Sequence, residues 1–282
     1  MNERERELVV RRIVVAVESL PRDMSALEAA AELAARLQAE LLGLFVEDSD
    51  LLSLADTPFV GEISVFSAQS RRPDAREMER QFRAQARRIR QAFEEAMARA
   101  EVRGTFRVTR GRVKTEVLTA AREADVLILG KGGWNVARSR RLGRTIRALL
   151  AEAPASTLVL QRGAGLDVPV GVMYDDSPLA GRALMAAALL ARRDDERLTV
   201  FLVDGEIDEF ERLRNQVTRR LAGRGLDVRY RAITQCDASR LARVMQIETV
   251  GVLVMPGQDA SIQGEALLAL LDEVEVPVLL VR

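Results

Sequence analysis

Residues 130–145 read GKGGWNVARSRRLGRT and follow directly on the apolar run VLIL at 126–129. The apolar run predicts a buried strand, and residues 145–151 predict a helix. Three of the glycines between these two elements matter for the argument: Gly130, Gly133 and Gly143. A glycine-rich turn between a parallel strand and the start of a helix is a place where backbone N–H groups and the helix dipole can bind a phosphate.

The glycines are separated by two residues and then by nine, which is neither the Walker pattern nor the dinucleotide fingerprint. The basic run ARSRRL at 137–142 precedes the last glycine, and Arg144 and Arg147 follow it. Guanidinium groups bind phosphate oxygens through two parallel hydrogen bonds. An arginine run alone is typical of an exposed helix entry, but within this glycine spacing we favour an anion site.

The chain contains two halves with the same order of patterns. Each half opens with a short apolar run, IVVAV at 13–17 and VGVMY at 170–174, followed by acidic residues and a serine. An alanine-rich helix pattern comes next, and further apolar runs then alternate with helix patterns. The runs are continuously apolar, as expected when helices cover both faces of a parallel sheet.

This alternation predicts an α/β fold with two tandem doubly wound domains of five strands each. We expect the domains at 1–163 and 168–282, joined by the linker RGAGLD at 162–167. The predicted strands are 13–17, 41–46, 106–109, 126–129, 154–160, 170–174, 198–203, 228–233, 251–255 and 276–281. The predicted helices are 25–38, 74–101, 114–123, 145–151, 179–192, 208–222 and 238–247.

The glycine spacing, the internal repeat and the closing strands, each preceded by a proline, resemble the tandem universal stress proteins over nearly the whole chain. The ATP-binding signature of that family is Gly-x2-Gly-x9-Gly-Ser/Thr. One position departs from it, because Arg144 stands where the family has the hydroxyl and Thr145 comes one residue later. The resemblance implies an adenine nucleotide alpha hydrolase-like fold with five parallel strands per domain. It also implies that the fifth strands of the two halves pair across a pseudo-two-fold axis.

Ligands of open parallel sheets bind beyond the carboxyl ends of the strands, at the switch in strand order. In the first half the candidate binding residues at these ends are Val17, Glu18, Ser19, Val46, Gly111, Val113, Leu129, Gly130, Gly133, Gly143, Arg144 and Thr145. By resemblance, Glu18 stands for the usual aspartate beside adenine and ribose, and Val46 lies against the adenine ring. Leu129 and Gly130 would then line the ribose, and the residues from Gly133 onward would face the phosphates.

Two interpretations of Arg144 stay open. Its side chain can contact the phosphates and offset the missing hydroxyl, or it can fill the pocket and exclude ATP. The second half lacks the signature, and Asp175, Asp176, Asp259 and Glu265 would bring negative charge near a phosphate there. We therefore expect the second domain to be empty or structural.

Residues 48–73 form an insertion that the second half lacks, and loops of this length are often functional. Five of its apolar residues are Phe59, Val60, Ile63, Val65 and Phe66. They can cover a ligand or form a small strand at a dimer contact, and we favour the strand.

Composition excludes several classes of function. The chain has 42 basic and 42 acidic residues, no histidine and one cysteine. Balanced charge and few aromatic residues argue against nucleic-acid binding, and the lack of histidine removes the commonest general base and metal ligand. Without a secretory signal, a disulfide or an apolar stretch of about 18 residues, we expect a cytoplasmic protein that does not insert into membranes.

The sequence predicts a stress-response or regulatory protein that binds ATP or AMP in its first domain. If Mg²⁺ accompanies the nucleotide, the phosphates would hold it, with Glu18 as the nearest carboxylate. We expect a homodimer that acts through a regulatory protein partner, and no enzymatic activity beyond slow ATP hydrolysis. The alternative is a nucleotide-free scaffold that binds a protein partner. An enzyme with Glu18 as base is the least favoured interpretation.

Overall fold

A computed structural model gives the fold of the chain. It describes residues 10–20, 23–55, 62–63, 70–71, 75–131, 142–161, 165–166, 169–191, 197–203, 207–233, 238–257 and 264–282. Within these ranges no helix has the length and apolar character needed to span a membrane.

The first half contains, in chain order, β1 (Arg12–Ala16), α1 (Met24–Leu37), β2 (Glu40–Asp48), α2 (Ser49–Ala55), β3 (Glu62–Ile63), β4 (Ser70–Arg71), α3 (Ala75–Ala100), β5 (Gly104–Gly111), α4 (Val113–Ala121), β6 (Val126–Gly130), α5 (Arg144–Glu152) and β7 (Ser156–Leu160). The second half contains β8 (Val170–Tyr174), α6 (Pro178–Ala191), β9 (Arg197–Val203), α7 (Ile207–Leu221), β10 (Asp227–Ile233), α8 (Ala238–Ile247), β11 (Val252–Pro256), α9 (Gly264–Glu273) and β12 (Val278–Val281). All the predicted strands and helices are present, with ends displaced by at most two residues.

Ten of the described strands form one sheet in the order β10-β9-β8-β11-β12-β7-β6-β1-β2-β5. Within each half the five neighbouring strands are parallel. The halves meet where β7 and β12 pair in antiparallel fashion, with Val159 opposite Val278. The predicted doubly wound fold and the pairing of the fifth strands are therefore confirmed. The exact domain boundaries stay a prediction.

The core lies in two apolar layers, one on each face of the sheet. Helices α1, α3, α6 and α7 supply the buried residues of one layer, and α4, α5, α8 and α9 supply those of the other. Adjacent strand residues such as Val14 and Val15 belong to opposite layers, because successive side chains of a strand point to opposite faces. Both layers contain residues of both halves, so the apolar core crosses the boundary between them.

The insertion at 48–73 begins with a helix, α2, that the sequence analysis took for part of a loop. The short strands β3 and β4 pair in antiparallel fashion, and Ile63 lies in β3. A small strand was therefore a correct expectation at Ile63. Phe59, Val60, Val65 and Phe66 lie outside the described part of the chain. Helix α9 was also missed, because its short run after Gly264 carries no recognisable start signal in the sequence.

Gly43 in β2 is expected to be intolerant of a side chain. A Cβ at this position would lie 2.7 Å from Phe93 Cδ2 and 2.8 Å from Phe106 Cδ2, and both rings pack in the core layer of α3. Gly43→Ala should lower the free energy of unfolding by about 1–3 kcal/mol, because the rings must move in a close-packed interior. Urea denaturation measures this loss.

The matched control for Gly43→Ala is Thr105→Ala on the neighbouring edge strand β5, where the side chain is exposed. This control should change the free energy of unfolding by no more than about 0.5 kcal/mol. Equal stability of the Gly43→Ala variant and the wild type would contradict the close packing around β2.

Candidate functional site

The switch in strand order of the first half lies between β1 and β6. Strand β1 has β2 on one side and β6 on the other, so that Ala16 is in register with both Leu44 and Leu129. Helix α1 follows β1 and packs on one face of the sheet, while α5 follows β6 and packs on the opposite face. The two connections diverge at this point, and in open parallel sheets this is where ligands bind, beyond the carboxyl ends of the strands.

A buried carboxylate fixes the connection after β1. Oδ2 of Asp23 accepts hydrogen bonds from the backbone N–H of Glu18 at 2.8 Å and of Ser19 at 2.9 Å. The Asp23 residue is only 5% exposed, and its own N–H donates to the carbonyl of Ser19 at 3.0 Å. Gln85 of α3 donates from Nε2 to the carbonyl of Glu18. The backbone of Glu18 and Ser19 is therefore held from two sides.

Sequence reasoning missed Asp23. An aspartate directly before an alanine-rich helix has the pattern of an ordinary N-cap, and Asp23 does occupy the N-cap position of α1. Its side chain, however, makes no capping hydrogen bond to that helix and turns back to the β1 connection. The sequence carries no signal that distinguishes these two uses of one carboxylate.

Gly130 ends β6 beside this carboxylate. A Cβ added to Gly130 would lie 3.3 Å from Asp23 Oδ1, so the glycine allows a close approach between the two connections. The N–H of Lys131 donates to the carbonyl of Leu160 at 2.8 Å, which extends the pairing of β6 with β7 into the glycine-rich segment. Gly133 and Trp134 lie outside the described residues.

Helix α5 begins with a set of anion-binding groups. Its N-cap residue is Gly143, with φ −63° and ψ 155°, and no side chain of the described residues caps the helix. The first turn contains no acidic residue, and Arg144 is exposed at the first helical position. The N–H groups of this turn, the positive end of the helix dipole and the guanidinium group together favour a negatively charged ligand.

The apolar residues predicted for the site are part of the core. Val17, Val46, Val113 and Leu129 are each at most 6% exposed and lie in the two core layers. Because these side chains are buried, the four residues would contact a ligand mainly through their backbone groups. Gly111 ends β5, two strands from β1, where a Cβ would meet Glu116 Oε1 at 2.5 Å. The structure therefore brings Glu18, Ser19 and Gly130 together and leaves Gly111 and Val113 further along the edge.

The corresponding position of the second half is engaged by its own side chains. Asp176 follows β8 as Glu18 follows β1, and its carboxylate accepts hydrogen bonds from Tyr174 Oη at 3.3 Å, Gln216 Nε2 at 3.0 Å and Arg212 Nη1 at 2.8 Å. Burial acts to raise the pKa of Asp176, but the hydrogen bonds from Arg212 and Gln216 outweigh it, so that the pKa is lowered. Among the described residues no cluster of His, Cys, Asp and Glu is suited to hold a metal ion.

Residues 10–161 match the sequence profile of the universal stress protein family. The match covers more than half of the chain, and the protein belongs to this family. The predicted membership and fold class are therefore confirmed. The curated protein sequences gave no match.

Solved structures show the same fold. A universal stress protein from Archaeoglobus fulgidus DSM 4304 has 16% identity and a TM-score of 0.74, over 98% of this chain and 97% of that one. The cytoplasmic domain of a prokaryotic cation chloride cotransporter has 12% identity and a TM-score of 0.52, over 96% and 95%. A universal stress protein in complex with cAMP has 18% identity and a TM-score of 0.35, over 40% and 94%.

Removing the Asp23 carboxylate should destabilise the first half. Asp23→Ala leaves the partly buried N–H groups of Glu18 and Ser19 without this acceptor, which should lower the free energy of unfolding by about 1–3 kcal/mol. Asp50→Ala is the control, because Asp50 is exposed and pairs only with the exposed Arg112 across 3.3 Å in the described contacts. Urea denaturation should show a change below about 0.5 kcal/mol for this control. Similar curves for the two variants would contradict the role of Asp23.

The Asp176 contacts should make the second half sensitive to acid. Because the pKa of Asp176 is lower in the folded than in the unfolded protein, its contribution to stability is complete above about pH 4 and disappears as the pH falls through the folded value. Asp176→Asn should therefore be less stable than the wild type at pH 7, and the difference should shrink below about pH 4. Denaturation across this pH range measures it.

The control for the pH series is Glu211→Gln on α7, where Glu211 forms an exposed ion pair with Arg214. Such a pair contributes little, so this variant should follow the wild type at every pH. A difference between Asp176→Asn and the wild type that is constant with pH would show that the charge of Asp176 does not matter.

Proposed function

We propose that the protein binds an adenine nucleotide, ATP or AMP, at the carboxyl edge of β1 and β6 in its first half. The observation that carries the proposal is the start of α5, which has no capping side chain among the described residues and presents an exposed Arg144. Gly130 lies at the same edge of the sheet, at the switch in strand order. The family of the chain and the glycine spacing support the same ligand.

The charges of the site favour one orientation of the nucleotide. The carboxylate of Asp23 lies beside Gly130 and the β1 connection, and phosphates placed there would meet a like charge. Base and ribose therefore belong near Glu18 and Gly130, while the phosphates belong at the start of α5 with Gly143, Arg144 and Thr145. Gly133 and Val46 complete the proposed set. Any Mg²⁺ would be held by the phosphates, with Glu18 as the nearest carboxylate.

The second half is proposed to bind no nucleotide. The carboxylate of Asp176 is engaged by Arg212, Gln216 and Tyr174, and Arg212 also forms hydrogen bonds of 2.8 Å to both oxygens of Glu209. A ribose hydroxyl would have to compete with these contacts.

We further propose a regulatory, non-catalytic role in the cytoplasm, as a homodimer that acts through a protein partner. The sequence has no histidine, the commonest general base, and the described residues contain no cluster suited to a metal ion, which supports a non-catalytic role. This role would be overturned by ATP hydrolysis well above background.

Arg144 is the residue that tests the phosphate end of the site. ATP should raise the melting temperature of the wild type, because a ligand at a hundred times its Kd stabilises the folded state by about 2.7 kcal/mol. Arg144→Ala should weaken ATP binding about tenfold through the lost charge-assisted hydrogen bonds, and Arg144→Glu more strongly. Calorimetric titration of nucleotide-free protein with ATP and Mg²⁺ measures the Kd.

Arg122→Ala is the control, because Arg122 is exposed at the end of α4, near the amino ends of the strands and away from the proposed site. It should bind ATP as the wild type does. Tighter binding by Arg144→Ala would mean that Arg144 fills the pocket. No heat and no thermal shift with the wild type or with Arg144→Ala would refute nucleotide binding and favour the nucleotide-free scaffold.

A further inference from the structure

The glycine-rich segment of the first half is bound at its beginning to a helix of the second half. Lys131 donates from Nζ to the carbonyl oxygens of Asp272 at 2.9 Å and Val274 at 3.4 Å. Asp272 lies in the last turn of α9, and Val274 follows this helix. Carbonyl groups at a helix end have no partner within the helix and carry partial negative charge, so they suit an ammonium group.

The other end of the segment, at Leu142, is bound to the same turn of α9, at Asp272. The N–H of Leu142 donates to Asp272 Oδ1 at 2.6 Å, and Arg147 donates from Nη2 to Asp272 Oδ2 at 3.1 Å. Arg147 also donates from Nε to the carbonyl of Leu142 at 3.2 Å. Leu142, Arg147 and Asp272 thus form a closed ring of hydrogen bonds, although Leu142 and Asp272 are 130 positions apart in the sequence.

The contacts lie in a partly buried region of the boundary between the halves. The side chains of Asp272 and Arg147 are 17% and 34% exposed, and Leu142 and Val274 are 4% and 3% exposed. Both apolar residues belong to the core layer that contains α5 and α9. Hydrogen bonds between charged groups are stronger than those between neutral groups, so this arrangement can hold the chain in one position.

Leu142 directly precedes Gly143, the N-cap of α5. A residue that fixes Leu142 therefore also fixes where the first turn of α5 lies. The Asp272 carboxylate takes the N–H of Leu142 and leaves the N–H groups of that turn to a ligand. Its charge is balanced by Arg147, so that it does not act as an unpaired negative charge beside a phosphate.

We infer that Asp272 is a positioning residue for the nucleotide site, supplied by the second half to the first. It holds both ends of the glycine-rich segment and thereby places the start of α5 for the phosphates. Nucleotide binding in the first half should in turn stabilise the end of α9 in the second half, because coupling between two sites is reciprocal. The inference rests on the proposed nucleotide function and gives the second half a part in it.

The test uses the full chain with the variants Asp272→Ala and Asp272→Asn. Asp272→Ala should raise the Kd for ATP about fivefold or more, as is typical of coupled sites, with Asp272→Asn between it and the wild type because one acceptor oxygen remains. Hydrogen exchange without nucleotide should be faster at the Leu142 amide in both variants. All measurements are made well below the melting temperature of each variant.

Glu273→Ala is the matched control. Glu273 is the next residue of α9, is exposed, and contacts Ser239 of its own half across 3.4 Å. This variant should leave both the Kd and the exchange of Leu142 unchanged. A purely structural role would not produce one further result, namely that ATP slows exchange at the Val274 amide in the wild type and not in Asp272→Ala.

The outcomes separate the inference from the proposed function. If the wild type binds ATP and Asp272→Ala binds it equally well, the inference is overturned while the proposed function stands. Tighter binding by Asp272→Ala also overturns it, because Asp272 would then compete with the phosphates. If the wild type binds no ATP, the proposed function fails and the role of Asp272 in a nucleotide site fails with it; exchange at Leu142 in the variants then shows only whether Asp272 fixes that residue.

Discussion

The antiparallel pairing of β7 with β12 is the constraint on which the rest of the architecture depends. It joins two five-stranded parallel sheets into one and leaves neither of these strands as an unpaired edge. Because α5 precedes β7 and α9 precedes β12, the pairing brings these helices to the same boundary on one face of the sheet. The shared core layer and the contacts of Asp272 follow from this juxtaposition.

The connections that follow β1 and β8 each contain a carboxylate, and these two carboxylates have different partners. In the first half the buried carboxylate of Asp23 accepts hydrogen bonds from the backbone N–H groups of Glu18 and Ser19. In the second half Asp176 binds the side chains of Arg212, Gln216 and Tyr174. The same topology therefore accommodates a carboxylate bound to backbone N–H groups in one half and a carboxylate bound to side chains in the other.

Many arginines of the described residues form ion pairs with Asp or Glu, but few of these pairs lie at the proposed site. Exposed pairs such as Arg99 with Glu28 lie in water and contribute little to stability. The pair of Arg147 with Asp272 differs, because the carboxylate is mostly buried and also accepts a backbone hydrogen bond. Burial and a second donor make a contact of this kind specific, while an exposed pair is readily exchanged for water.

The order and the type of the main elements can be predicted from the amino-acid sequence, because a run such as 126–129 is apolar throughout and such runs recur in both halves. The sequence also located Gly130, Gly143 and Arg144 at the ends of the right elements. The partners of Asp23 and Asp272 are known only from the fold. A local pattern of apolar residues predicts which residues are buried, but the hydrogen-bond partners of a carboxylate depend on which donors the fold brings close to it.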